Sequence, residues 1–346
     1  MVGAHVTFPR VATVAVVQEP DAPLADGQVR VRTLYSGISA GTELAGYRGT
    51  SPHLTRRWDP DLRLFFEGSA VPSFPVTDLG YEEVGEVVEV AGPHAGVALG
   101  DRVWGTWGHR SSAVLEATDA ARRVLPDDVD PRIGIFSHIG AVALNAVIDA
   151  DIHVGEIVAV FGLGVPGQLV AQLARLNGGR VVAVDGIAAR CDLALRLGAE
   201  AALDSAEPVA ERIRELSEGR GADVAIEISG SARALHEAIR SVSYNSRVVV
   251  AGFLQGDAVG LRLGEEFHHN RVQLVCSQIS ASAAAVSHRW DRYRLNATAL
   301  RLASEGRLDV LSLISRTVTL SEIAEAYRAL DQNPRDQLQV VIDFTS

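Results

Sequence analysis

Residues 157–167, IVAVFGLGVPG, constrain this chain more than any other stretch. Ile157, Val158, Ala159, Val160 and Phe161 make an apolar, β-rich run that reads as a fully buried strand. Gly162, Gly164 and Gly167 then give the spacing GxGxxG ahead of an Ala/Leu-rich segment with helical periodicity. The expected structure is a strand, a tight turn and a helix. One glycine permits the turn, one admits a pyrophosphate close to the backbone, and one lets helix and strand pack tightly. The helix N-terminus presents unpaired N–H groups and a partial positive charge to the phosphates. Glycine spacing alone is weak evidence, but a second apolar strand at residues 180–184 follows the helix and ends at Asp185. An acid about 20 residues past the glycines accepts from the ribose hydroxyls and repels a 2′-phosphate. The reading is an NAD site, with NADP the less favoured cofactor; the alternative is a glycine turn that binds nothing.

A chain of 346 residues, 47% hydrophobic, can bury two cores. Its formal net charge of −11 argues against a nucleic-acid partner, whose phosphates it would repel. There is no run of 18 apolar residues, and the start, MVGAHVTFPRVATVAVV, lacks the pattern of a signal peptide. A cytoplasmic protein with no membrane partner is expected. Cys191 and Cys276 are far apart in sequence and read as buried free thiols. All 32 basic residues are arginine, so Schiff-base chemistry and a lysine general acid or base are excluded.

Short alternating runs at residues 11–17 and 29–34 suggest an antiparallel β unit. Residues 35–49, YSGISAGTELAGYRG, read as a glycine-punctuated loop, and the arginine-rich residues 50–75 as a long surface or lid loop. LGYEEVGEVVEVAG from residue 79 and GDRVWG at residues 100–105 are further β signals. The first 130 or so residues therefore read as β-rich.

GISAGTE, GYEEVGEVVEVAG, GDRV and GLGVPG, in that order, resemble the medium-chain dehydrogenase/reductase superfamily, which is alcohol-dehydrogenase-like. The resemblance covers essentially the whole chain. It implies an α/β protein: a Rossmann doubly wound parallel sheet over residues 139–283, plus a GroES-like β-rich catalytic domain made of residues 1–138 and 284–346. Residues 135–148 would be the helix leading into the Rossmann domain, and GADVAIEISGS and RVVVAGF its fourth and fifth strands. SGISAGTE and GYEEVG are most similar to the branch typified by bacteriochlorophyllide a dehydrogenase and relatives in secondary metabolism. The resemblance places the dinucleotide on Gly162, Gly164, Val165, Pro166, Gly167, Asp185, Arg190, Ser229 and Gly252; Thr42 could hold the nicotinamide ribose or a substrate hydroxyl, or simply cap the glycine loop. It also implies a homodimer formed through the last Rossmann strand near residues 273–279.

Zinc members of that superfamily use a Cys before a GTD-type motif, a His in GHE, and a third Cys or acid. Here Ser39 and Ala40, Tyr81, and Ser137 or His138 stand at those places, and the four-cysteine structural lobe is missing. Hydroxyls are poor zinc ligands, so no metal is expected; an improvised set of Glu43, Glu82 and His138 is the alternative. Without a Lewis acid, the proton must be handled by side chains. Tyr81 is the first candidate, against the alternative of a packed tyrosine. Glu82 could tune Tyr81 or act as base, unless a buried arginine pairs with it; His138 could relay a proton, and Ser39 could hold a hydroxyl or cap the loop. Tyr47, Arg56, Arg57 and Trp104 are candidate substrate residues, with a solvated loop or plain packing as the alternatives. His268 and His269 should face opposite sides of a strand and so share no metal.

The expected activity is zinc-independent hydride transfer between a secondary alcohol or its ketone, a polyol or secondary metabolite among the options, and NAD(H), in a cleft between the domains. One rival is a zinc-free reductase of quinone- or enoyl-type C=C bonds using NAD(P)H. Another is a dinucleotide-binding protein without turnover.

Overall fold

The computed structural model describes residues 2–68, 71–93 and 96–346. Residues 139–313 form one unit, and residues 1–138 with 314–346 form the other. The return to the β-rich unit therefore falls at residue 314, not at 284. The helix Arg292–Ser304 and the turn after it belong to the nucleotide unit: the Gln172 side chain donates to Asp309 O at 3.0 Å and accepts from Asp309 N at 2.8 Å. Gly140 lies so close to Ala299 that a Cβ there would be 2.8 Å from the alanine methyl.

In the nucleotide unit six parallel strands run in the order Ala201–Asp204, Arg180–Asp185, Ile157–Phe161, Ala222–Glu227, Val242–Val250, Gln273–Cys276. All five residues of Ile157–Phe161 are buried, which is what an apolar run without alternation requires of a central strand. The chain leaves this strand toward one edge of the sheet and later returns to the other side, pairing Ala222–Glu227 with it. The order of strands thus reverses at the carboxyl ends of these two, where the glycine turn lies. The helix Val165–Leu176 follows that turn and buries one face, Leu169, Val170, Leu173 and Ala174 included.

In the β-rich unit the organising strand is Gln28–Ile38. One of its edges pairs antiparallel with Glu83–Val90; the other is shared between Ser112–Glu116 and Gln339–Asp343. A hairpin, Val2–Arg10 with Thr13–Pro20, stands apart from this sheet. Phe8, Ile38, Tyr47, Ile323, Tyr327 and Ile342 share one core cluster.

Several expectations about local structure change. Residues 35–49 are not a loop: they complete Gln28–Ile38 and then form the helix Ala40–Arg48, closed by Gly49 in the left-handed region at φ 73°. Residues 50–75 hold a short helix, Pro52–Thr55, and a small hairpin, Arg56–Asp59 with Leu64–Glu67. His268 and His269 sit at a helical turn with rings 5.4 Å apart, because the chain is still turning before Gln273–Cys276 begins. Both cysteines are free but not buried: Cys276 is exposed and Cys191 half-buried. The helical stretch Pro131–Ala150 is long and apolar enough to span a membrane, yet 89% of it is buried inside the protein.

Candidate active site and dinucleotide site

The three glycines of the nucleotide unit are required for different reasons. Gly162 has φ 96°, and a Cβ there would meet Ser229 Cβ at 2.6 Å. A Cβ on Gly167 would lie 1.8 Å from Gly162 O, so the helix could not start where it does. Gly164 has ordinary extended backbone (φ −63°, ψ −175°), and a Cβ there would find only Pro166 Cδ, at 3.9 Å. Nothing in the protein demands glycine at 164; a ligand that must approach the backbone does.

Asp185 ends its strand with both oxygens on backbone donors, Leu163 N at 2.7 Å and Ile187 N at 2.9 Å, and Arg190 Nη1 lies 3.9 Å away. The buried Gln168 side chain donates to Leu163 O and Arg190 O, tying Arg190 to the glycine turn; Val165 and Pro166 open the helix. Ser229 donates from its backbone N to the buried Glu227 carboxylate at 2.7 Å, and burial holds Glu227 above the usual carboxylate range. Gly252 faces Gly230 N so closely that a Cβ would be 2.3 Å away. A cavity of about 340 Å³ opens beside these residues, lined among others by Gly162, Asp185, Ser205, Ser229 and Arg233. Arg233, whose Nη2 donates to Ser205 O at 3.1 Å, carried no motif that marked it in the sequence. These residues fit a dinucleotide: an open glycine, a helix N-terminus and an acid held by backbone N–H groups.

The β-rich unit builds a second site from three distant segments. Ser39 caps the helix Ala40–Arg48, and its backbone N donates to Glu43 Oε1 at 2.7 Å. The Ser39 hydroxyl makes a short hydrogen bond with the Tyr81 phenol, and Thr42 Oγ1 lies 3.2 Å from the same oxygen. The Tyr81 ring meets His138 edge to face, with centroids 4.8 Å apart. Burial and the neighbouring Glu82 carboxyl push the phenol above its ordinary value, so Tyr81 is a neutral donor, not a phenolate. Ser39, Thr42, Tyr81 and His138 are therefore gathered.

Behind them runs a buried network absent from the sequence reading. Glu43 Oε2 accepts from His109 Nε2 at 2.8 Å and from the Tyr327 hydroxyl. His109 Nδ1 lies 2.7 Å from Ser36 Oγ, which donates to Glu83 Oε1 at 2.9 Å; Glu83 Oε2 accepts from Trp107 N at 2.8 Å. A hydroxyl that donates to Glu83 must accept from His109, which makes the ring an imidazolium between two carboxylates. Burial alone pulls His109 down, but Glu43, by charge and hydrogen bond, and then Glu83 raise it above its usual value. Gly80, at φ 86°, leaves room for this ring: a Cβ would be 2.6 Å from Nδ1. One signal was present: two adjacent acids, Glu82 and Glu83, run directly into an apolar alternating strand, and both are buried, which requires partners for their carboxyls.

Other candidates are not where expected. Glu82 is 1% exposed and, among the described residues, forms no ion pair with an arginine; burial, then Glu43 and Glu83, drive its carboxyl well above the usual range, and its buried Oε2 has no hydrogen-bond partner among them. Tyr47 is core, stacked on Tyr327 at 5.9 Å and edge-on to Phe8 at 5.6 Å. Trp104 is also buried, with the Arg123 guanidinium 5.6 Å above its ring. Arg56 and Arg57 are exposed on the small hairpin, Arg57 lying 3.4 Å from Asp59 and 5.1 Å above the Phe66 ring.

A parallel sheet with an open glycine turn and an acid at its second strand, joined to a β-rich unit with a built polar site, defines a dinucleotide-dependent oxidoreductase. A family described as zinc-binding dehydrogenase matches residues 166–295. The chain is 32% identical to D-guloside 3-dehydrogenase of Shigella flexneri, with 98% of each chain covered. It is 26% identical to sorbitol dehydrogenase of Halalkalibacterium halodurans, over 91% of this chain and 92% of that one. A dehydrogenase from Sinorhizobium meliloti 1021, crystallised with NADP, has the same fold: TM-score 0.77, 24% identity, 99% of both chains covered. The chain belongs to the medium-chain, zinc-type alcohol-dehydrogenase-like superfamily, and is an oxidoreductase of the alcohol and polyol dehydrogenase type.

The family implies a metal, and the donor set here does not fit one. Ser39, Thr42 and Tyr81 offer hydroxyls already bonded to one another, and Glu43 is held by Ser39 N, His109 and Tyr327. Zinc takes thiolate, imidazole or carboxylate in a tetrahedron; among the described residues His138 borders the hydroxyls, but the Glu43 carboxylate is already taken up by its own donors and burial favours the neutral form of the Glu82 carboxyl.

Proposed function

We propose that this protein oxidises a secondary hydroxyl of a sugar, glycoside or polyol, or reduces the matching ketone, with NAD(H) and without zinc. The observation that carries the reading is the hydroxyl cluster of Ser39, Thr42 and Tyr81 against His138, where the family resemblance puts metal ligands. The bound nicotinamide supplies the hydride acceptor or donor. Tyr81, kept neutral by burial, hydrogen-bonds the substrate oxygen, and Ser39 and Thr42 fix its hydroxyl. His138 stands against the Tyr81 ring as the imidazole placed to take the proton. The relatives named for a guloside and for sorbitol support the substrate class. Asp185 supports NAD, since its carboxylate would repel a 2′-phosphate.

The test is turnover of a panel of glycosides, sugars and polyols with NAD⁺ and with NADP⁺. Oxidation of members of the panel with NAD⁺ preferred supports the reading; turnover confined to enones with NADPH contradicts it. Two further proposals accompany it. The unpaired edge of Gln273–Cys276, with Leu274 38% exposed, supports a homodimer, and a monomeric mass in solution would refute that. The free, exposed Cys276 suits a reducing compartment such as the cytoplasm.

A further inference from the structure

In the nucleotide unit, the helix Ala232–Ser241 packs beside the turn Leu263–Phe267, which leads toward the edge strand Gln273–Cys276. His236 on that helix is 8% exposed, and neither of its ring nitrogens has a hydrogen-bond partner. A buried imidazole with both nitrogens unmatched is costly, and here it faces two acids. One ring nitrogen of His236 and one carboxylate oxygen each from Glu265 and Glu266 lie within 4.8 Å of one another. Adjacent residues of a regular helix diverge by about 100°. Glu265 has non-helical backbone (φ −97°, ψ −124°), and that break lets consecutive carboxylates converge.

The charges around the group leave room for a cation. Arg240 serves three carboxylates: Glu211 at 2.7 Å, Glu237 at 2.9 Å and Glu266 only at 3.4 Å. Glu266 gives that weak contact its Oε1, and its buried Oε2 has no partner. Glu265 spends Oε2 on Arg262 at 2.7 Å, leaving its other oxygen for a second contact.

We propose that His236, Glu265 and Glu266 form a binding site for a zinc-class divalent cation. The donors are one imidazole nitrogen and two carboxylate oxygens, with water as a fourth ligand. Zinc bonds of about 2.0–2.2 Å set tetrahedral ligand atoms roughly 3.3 Å apart, so the site closes by side-chain rotation alone. The ion fastens the helix Ala232–Ser241 to the turn ahead of the edge strand. It takes no part in hydride transfer.

The test is a zinc titration of chelator-treated full-length protein, read by calorimetry and by metal analysis after dialysis. The variants are His236→Gln, the exposed-residue variant Glu265→Gln, and His138→Ala as the control at the other site. Wild type and His138→Ala should bind about one equivalent, and Glu265→Gln and His236→Gln should bind at least about tenfold more weakly. Zinc should raise the melting temperature of wild type more than that of Glu265→Gln, while Mg²⁺, which prefers oxygen ligands, should give no comparable shift. No saturable zinc binding, binding unchanged in both His236→Gln and Glu265→Gln, or Mg²⁺ binding equal to zinc would overturn the proposal. Binding lost in His138→Ala and kept in the other variants would place the metal in the β-rich unit, contradicting both this inference and the zinc-free reading. Turnover assayed on the same stripped samples tests the zinc-free reading separately.

Discussion

The two units handle polar groups in opposite ways. In the nucleotide unit the site is made almost entirely of backbone: a turn of glycines, a helix N-terminus, and one aspartate held by Leu163 N and Ile187 N. In the β-rich unit it is made of side chains, with Glu43, Glu83, His109 and Tyr327 buried behind Ser39 and Tyr81. A backbone site binds what many enzymes share, and it tolerates change everywhere except at its glycines and its acid. A side-chain site fixes one hydroxyl in one orientation, and each member depends on the others.

The sharpest attack on this contrast is Tyr81→Phe. It should lower kcat by about 10²–10³-fold, the range for loss of one positioned hydrogen-bond donor to the reacting oxygen, with dinucleotide affinity unchanged. Equal loss of dinucleotide binding by titration would show that the two sites are not separable. Next is Glu43→Gln, which leaves the buried His109 cation short of a partner. It should cost about 3–5 kcal/mol in denaturant unfolding, whereas a cost near zero would mean that the network is not holding the site. The mirror experiment in the nucleotide unit is Gly164→Val. Its backbone angles suit any residue and the space beside it is open, so the melting temperature should hold while NAD⁺ affinity falls by about tenfold or more. Unchanged affinity would remove the argument that a ligand explains this glycine.

The smallest effect is a pH slope. Glu82 titrates well above 4.5 when folded and near 4.5 when unfolded, so between those values the unfolded chain holds fewer protons. Its contribution to stability is present below pH 4.5 and falls by about 1.4 kcal/mol per pH unit as pH rises toward the folded value. Glu82→Gln, a mimic of the neutral acid, should flatten that slope in unfolding midpoints measured from pH 5 upward. A slope identical to wild type would contradict a neutral Glu82.

What the sequence showed follows the same division. The strand at residues 157–161, the glycines and Asp185 are contiguous or nearly so, and each has a local physical meaning that survives without the fold. The β-rich site is not local: Glu43 reaches His109 across 66 positions and Tyr327 across 284. Tyr81, Ser39 and His138 were reached through the motif order, but their mutual contact was not. Tyr47 and Trp104 were misjudged because an aromatic residue near a glycine motif reads alike whether it walls a cleft or fills a core, and burial decides. The helix Ala40–Arg48 was hidden by its glycines, which weaken helical propensity, while packing of Leu44 and Tyr47 restores it.

The most direct test of the claim that side chains stand in for a metal is turnover after metal removal. Protein dialysed against a strong chelator, with residual zinc measured, is assayed with NAD⁺ and a substrate that wild type oxidises. The account predicts kcat unchanged within error at substoichiometric metal. Activity that falls with the zinc and returns when zinc is added back would contradict it.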